Sequence, residues 1–214
     1  MGSSINFHED GFIEINSSNI LLPEARYELV KTMRASILVM GPLVARYGKA
    51  KISQPGGCDI GTRPIDFHLS GLEKMGAEIT SDSRYIYLKA KKLNPIDFSF
   101  PKVSVTGTEN LMMAATLIDG TTTLKNCAKE PEVLELANYL NSCGAKISGA
   151  GESEIEIKGV KKLEASRWDV LFDRIEAGTY LVAGAITNGH VKVNKINPNT
   201  ISIISKKLID MGVK

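Results

Sequence analysis

Little in this chain pulls it toward an extreme, and each shortage closes off a class of function. Net charge is nearly absent: 26 lysines and arginines stand against 24 aspartates and glutamates, a formal +2 over 214 residues with a pI near 8.3. Bulk attraction to nucleic acid or to an acidic membrane is therefore no organising principle, and such a role would need a local basic patch. The Lys-Lys pairs at 91-92, 161-162 and 206-207 are too scattered to make one and read as solvated faces. Long apolar runs are lacking as well. No stretch approaches the roughly 20 residues of a bilayer span, and no signal-peptide pattern precedes the first strand. The expectation is a cytoplasmic protein with neither membrane nor nucleic acid among its partners. Cysteine is scarce: Cys58, Cys127 and Cys143 are odd in number, widely spaced and form no C-x-x-C pair. That disfavours a disulfide framework or a zinc site, so no metal is expected, and Cys127 and Cys143 read as small core residues. With 43% hydrophobic and 23% charged residues, disorder is excluded and the chain can bury one or two sizeable cores.

What the chain does have is a repeat. Leu72-Glu73-Lys74-Met75-Gly76-Ala77, Leu140-Asn141-Ser142-Cys143-Gly144-Ala145 and Leu208-Ile209-Asp210-Met211-Gly212-Val213 end alike, with their glycines 68 residues apart. Each glycine suits a C-cap, where a left-handed residue closes a helix before a strand. Those helices begin at Pro64, Pro131 and Pro198, spaced by 67. Upstream, Gly48, Gly120 and Gly189 close earlier helices and lead into alternating strands at Ala50-Ser53, Thr121-Lys125 and His190-Asn194. Hairpins follow the C-caps: Ala77-Thr80 with Tyr85-Lys89, and Ala145-Ser148 with Glu154-Lys158. The fold class expected is α/β (α+β), built from repeated βαβαββ units of about 68 residues. Met1-Gly2-Ser3-Ser4 looks like a tag remnant, so residues 1-10 are set apart from the fold. Gly11-Phe12-Ile13-Glu14-Ile15 matches the second strand of a hairpin, and the last C-cap glycine lacks the hairpin the pattern calls for. The reading is a piece of a longer protein: residues 11-170 form a domain of one partial and two whole repeats, and 171-214 begin a repeat belonging mostly to a second domain.

The repeat supplies its own control for the segment Pro55-Gly56-Gly57-Cys58-Asp59-Ile60-Gly61-Thr62-Arg63-Pro64. From strand-leading glycine to helix-starting proline there are 11 residues in one unit and 9 in another, but 16 here. Gly-rich loops are usually only turns. One that is longer than its counterparts, and carries a potential nucleophile and a fixed cation ahead of a helix start, suits an anion-handling active-site loop.

Elsewhere each candidate residue has two readings. A helix is expected from about Tyr27 to Tyr47, kinked or broken at Pro42; Arg34 beside its apolar stripe either snorkels along the core or points its charge into a cleft. Lys102-Val103-Ser104-Val105-Thr106-Gly107-Thr108-Glu109-Asn110 runs into a helix through small hydroxyl residues. It offers donors to an anion, or merely an N-cap at Thr106 or Thr108. Glu130, before Pro131 and Glu132, and Asp173, three residues before Glu176, mark acidic helix starts. His68 in the Pro64 helix reads as a surface or boundary residue.

Taken together, Thr32-Met33-Arg34-Ala35-Ser36-Ile37, Gly41-Pro42-Leu43-Val44-Ala45-Arg46-Tyr47-Gly48, the Cys58 loop continuing through Ile65-Asp66-Phe67-His68, Lys102-Val103-Ser104-Val105 and Glu130-Pro131-Glu132 resemble one family closely. It is that of the UDP-N-acetylglucosamine enolpyruvyl transferases of bacterial cell-wall synthesis, within the superfamily that includes the shikimate-phosphate transferases. The resemblance implies an inside-out α/β barrel-like domain and transfer of enolpyruvate from phosphoenolpyruvate to the 3-hydroxyl of UDP-N-acetylglucosamine. It implies addition and elimination through a tetrahedral ketal, with neither cofactor nor metal. It maps the general-acid cysteine onto Cys58 and the anion-neutralising arginine of the loop onto Arg63. Substrate binding falls to Arg34, Arg63, Pro64, Ile65, Asp66, Phe67, Lys102, Val103, Ser104 and Val105, with His68, Glu130 and Asp173 as further candidates. The family's N-terminal lysine-asparagine pair and its aspartate general base have no counterpart, so this chain is expected to hold part of the sugar site without turning over. A non-catalytic nucleotide-sugar-binding module is the alternative, and the oligomeric state is left open.

Overall fold

The computed structural model describes residues 1–30, 33–54 and 65–213, and they divide into two compact units, 1–166 and 167–214. The first opens with a hairpin of β1 (Ser4–Phe7) and β2 (Ile13–Asn16), paired Ser4 to Asn16 through Phe7 to Ile13. Residues 4–7, within the 1–10 stretch set apart from the fold, thus form a strand. A second sheet follows: β3 (Glu24–Ala25), then a short α1 (Tyr27–Val30), a 3-10 turn at Arg34–Val39, α2 (Met40–Tyr47), β4 (Lys49–Ser53), α3 (Asp66–Lys74), β5 (Glu78–Ser81) and β6 (Tyr85–Lys89). The third sheet has the same grammar, with β7 (Asp97–Ser99), α4 (Val105–Ala115), β8 (Thr121–Lys125), α5 (Pro131–Ser142), β9 (Lys146–Ser148) and β10 (Glu154–Lys158). Their strand orders correspond, β3-β4-β6-β5 and β7-β8-β10-β9, each with one parallel pair followed by two antiparallel ones.

Local chemistry accounts for these elements. In β4, β6, β8 and β10 alternate residues are buried: Ala50 and Ile52, Ile86 and Leu88, Thr122 and Leu124, Ile155 and Ile157. A period of two leaves one face of each sheet for the core. Met40, Val44, Leu111, Met112, Leu72 and Val133 supply the helical side of that core. The three predicted C-caps close in one way. The amides of Ala77, Ala145 and Val213 reach back to the carbonyls of Leu72, Leu140 and Leu208, and those of Gly76, Gly144 and Gly212 to Glu73, Asn141 and Ile209. All three glycines have positive φ, between 90° and 105°. This is the double-bonded helix ending in which a left-handed residue satisfies the last free carbonyls.

Three expectations change. The helix from Tyr27 to Tyr47 is broken, but not at Pro42: Met33 is extended (φ −141°, ψ 103°), and Pro42 lies in the first turn of α2, where its missing N–H forfeits no intrahelical bond. In the second unit, α6 (Arg174–Ile186) is followed by a 3-10 turn at Pro198–Ile201 and α7 (Ser202–Asp210), and His190–Asn194 forms no strand. The described residues of that unit contain no strand to pair with it, and an unpaired strand would leave its amides and carbonyls without partners. The left-handed residue after α6 is Asn188 (φ 52°) rather than Gly189.

Candidate functional site

The proline-to-proline loop, 55–64, and with it Cys58, Arg63 and Pro64, lies outside the described residues. What surrounds it in sequence is described, and it converges on the first turns of two helices. Helix α3 begins at Asp66, one residue beyond Ile65, and Ile65 and Phe67 pack half-buried against the core while Asp66 is exposed. Helix α4 begins at Val105. Its cap is Ser104, not Thr106 or Thr108: Ser104 is the last extended residue (φ −142°, ψ 116°), and its hydroxyl accepts from the Gly107 amide at 3.1 Å. Lys102 and Val103 are exposed just ahead of that cap. Thr108 instead donates to the Ser104 carbonyl at 2.8 Å and accepts from the Ala128 amide at 3.1 Å, fastening the helix start to the segment between β8 and α5.

The two first turns meet through His68. Its ring is buried, 3% exposed, which overturns the surface reading. Nε2 lies 3.3 Å from the Thr106 hydroxyl and Nδ1 lies 2.8 Å from the Asn110 side-chain amide. Thr106 and Asn110 are four residues apart and so share one face of α4. Burial, reinforced by the Arg34 guanidinium, pulls the His68 pKa down from 6.5 to about 4, so the ring is neutral at physiological pH. Arg34 is half-buried at the start of the 3-10 turn, and its charge reaches this histidine. Arg34, Ile65, Asp66, Phe67, His68, Ser104 and Val105 therefore cluster around paired helix starts, where unpaired N–H groups and the helix dipoles favour negative charge.

The other candidates fall elsewhere. Glu130 occupies the cap position of α5 without capping it, and Pro131 takes the first helical position. Its carboxylate and that of Glu132 act on Glu109, which is 8% exposed; burial first, then these two charges, raise the Glu109 pKa to about 7. Asp173 is in the second unit and caps α6, accepting from the amides of Ile175 at 2.8 Å and Glu176 at 3.0 Å. Cys127 and Cys143 are buried as expected, and burial pushes the Cys127 thiol up to about 11, which removes it as a nucleophile. Among the described residues no cluster of histidine, cysteine and carboxylate side chains could hold a metal ion, and no helix is long and apolar enough to cross a membrane.

In the sequence Asn110 carried no role beyond position in a helix start, and Thr106 was read as an N-cap candidate rather than as a partner of His68. The available signal was their spacing of four, which puts two polar side chains on a helix face otherwise surrounded by Gly107, Leu111 and Ala114.

Comparison with known proteins adds scale. The family model of EPSP synthase (3-phosphoshikimate 1-carboxyvinyltransferase) matches residues 1–214. A UDP-N-acetylglucosamine 1-carboxyvinyltransferase of Koribacter versatilis is 55% identical over 196 residues, covering 92% of this chain and 45% of its own length. Its namesake in Hydrogenovibrio crunogenus is 52% identical over 212 residues, covering 99% and 51%. Among solved structures, the enolpyruvyl transferase NikO from Streptomyces tendae superposes with a TM-score of 0.71 at 21% identity, over 85% of this chain and 43% of that one. An EPSP synthase from Acinetobacter baumannii does so at 0.63 and 19%, over 87% and 42%. These two likenesses concern the fold alone. The chain spans about half the length of the curated relatives it matches. A match that runs the full length of the sequence, on an α/β architecture of repeated sheets, places this chain in the EPSP synthase family of enolpyruvyl transferases.

Proposed function

We propose that the whole protein to which this chain belongs transfers enolpyruvate from phosphoenolpyruvate to the 3-hydroxyl of UDP-N-acetylglucosamine, the step that commits this sugar nucleotide to cell-wall synthesis. The observation that carries the reading is 52% identity over 212 residues to a protein bearing that name. The paired helix starts beside Arg34 support it, because both substrates bring phosphate or carboxylate oxygens that such a locus stabilises.

In this reading Arg34, Arg63 and Lys102 neutralise the substrates' anionic groups, and the 63–67 and 102–105 segments cradle the nucleotide sugar. The sugar hydroxyl gives its proton to a base from the rest of the whole protein as its oxygen bonds to C2 of phosphoenolpyruvate, while the Cys58 thiol protonates C3, giving a tetrahedral ketal. Loss of a C3 proton and of inorganic phosphate then restores the double bond. The chain of 214 residues holds part of the sugar site, and turnover belongs to the whole protein. The location is the cytoplasm, where both substrates are made.

Two measurements test this. The whole protein, given both substrates, is expected to release one phosphate per enolpyruvyl group transferred, and Cys58→Ser to abolish that release. Micromolar binding of the sugar nucleotide by the whole protein without phosphate release would instead favour a binding module. An epoxide analogue of phosphoenolpyruvate should alkylate Cys58 when the sugar nucleotide is present, and mass spectrometry that finds the label on other residues only would reject the mechanism.

A further inference from the structure

The hydrogen bonds around His68 have a direction, and the backbone sets it. The Gly41 amide can only donate, and its partner at 2.7 Å is Asn110 Oδ1. This contact exists because residue 41 has no side chain: a Cβ there would lie 2.4 Å from the Asn110 carbonyl oxygen and 2.5 Å from Oδ1. With Oδ1 fixed as the acceptor, the other amide atom is Nδ2, which can only donate, and it faces His68 Nδ1 at 2.8 Å. Nδ1 must therefore accept. A neutral imidazole that accepts at Nδ1 carries its proton on Nε2. Nε2–H then donates across 3.3 Å to the Thr106 oxygen. The reverse polarity would set two donors against each other between Asn110, 0% exposed, and the buried ring. Protonating the ring would do the same, in keeping with its lowered pKa.

With its oxygen engaged as acceptor, the Thr106 hydroxyl has its proton directed away from His68. Among the described residues the hydroxyl has no other bond. Thr106 is only half-buried and sits in the second helical position of α4, at the start where the 102–105 segment runs in.

We propose that Asn110 and His68 are positioning residues that hold the Thr106 hydroxyl as an outward donor, and that this hydroxyl binds an acceptor oxygen of the bound sugar nucleotide. The proposal rests on the sugar site described above and adds three residues to it. Thr106 makes the contact; His68 and Asn110 act through it. The order of the chain is Gly41 amide, Asn110, His68, Thr106, ligand, with α2, α3 and α4 each contributing a link.

The test uses the whole protein, UDP-N-acetylglucosamine as the probe, calorimetry for affinity and long-range ¹H–¹⁵N spectra for the ring tautomer. The expected results are a Nε2–H tautomer for His68 and a loss of affinity of about tenfold or more for Thr106→Val, the worth of one hydrogen bond to a charged or polar ligand oxygen. Thr106→Ser is expected to restore it. Asn110→Asp, which offers an acceptor to Nδ1, should move the proton to Nδ1, turn the Thr106 hydroxyl inward and weaken binding. In that background Thr106→Val should cost little more, because the donor is already lost. A Nδ1–H tautomer in the unsubstituted whole protein overturns the proposal whatever the affinities are. Unchanged affinity in Thr106→Val overturns it while leaving the site reading intact. No binding of the sugar nucleotide by the unsubstituted whole protein overturns both.

Discussion

Two neighbouring residues of α4 govern buried groups whose protons respond to pH in opposite directions. Asn110 faces His68, whose folded pKa of about 4 lies below the unfolded 6.5. The unfolded chain binds the extra proton first, so this histidine's contribution is complete above pH 6.5 and is lost as pH falls toward 4; the full loss is on the order of 3 kcal/mol. Urea titrations at pH 7 and pH 4.5 should show a smaller pH-dependence in His68→Gln than in the unsubstituted chain. Glu109 is the reverse case. Its folded pKa is raised to about 7 from 4.5, so the folded chain keeps a proton that the unfolded chain has released, and stability falls as pH rises from 4.5 through 7. Glu109→Gln keeps the neutral form at all pH values. Its melting temperature should exceed that of the unsubstituted chain at pH 8 and match it at pH 4.5. Neither behaviour was legible in the sequence. A lone histidine in an amphipathic helix has no local sign of burial, and the groups that decide its state, Asn110 and Arg34, lie 42 and 34 residues away. The carboxylates acting on Glu109 start a different helix.

The elements read more easily where their signal is local, and glycine separates two mechanisms. Gly144 has φ 96°, and a Cβ added to it would meet nothing within 4 Å, so Gly144→Ala costs only the left-handed backbone, about 1–2 kcal/mol. Gly41 has no such backbone demand, yet its missing Cβ lets α2 lie against α4 at Asn110 and Ala114. Gly41→Ala must push the helices apart and break the amide's bond to Asn110, which overpacking and an unmet buried donor put at about 2–4 kcal/mol. Chemical denaturation should therefore rank Gly41→Ala as the more damaging, and the reverse order would mean that the α2–α4 contact relaxes freely. The C-caps and the alternation of β4, β6, β8 and β10 were legible because each is written within one turn or one strand. Strands β3 and β7, two and three residues long, are too short to show alternation. The break before Arg34 carried no glycine or proline to mark it, while Pro42, which did look like a breaker, sits where a helix tolerates it.

For the molecule as a whole, the two units differ in how much they can hold together. In 1–166 two four-stranded sheets and their helices share one apolar core, in which Leu72, Met75, Leu111, Leu124, Ile155 and others are fully buried. Among the described residues of 167–214 the buried ones are Ala177, Gly178, Gly184 and Ile201, while Ile186 and Ile203 are each 79% exposed. A fully buried leucine or isoleucine contributes roughly 1.5–3 kcal/mol, so the second unit has little to set against the entropy of ordering its chain. This also explains why the repeat misled at His190–Asn194. The repeat correctly placed a C-cap at Gly212, an interaction within one helix, but a strand needs a neighbour from elsewhere, and pattern alone cannot supply it. Local opening should accordingly be cheap in 167–214 and approach the global cost in β8 and β10. Hydrogen exchange read by mass spectrometry is expected to show α6 and α7 losing protection at least tenfold faster than those central strands. Equal protection would mean that the second unit is held by burial of the very side chains that are exposed here, and would turn attention to what covers Ile186 and Ile203.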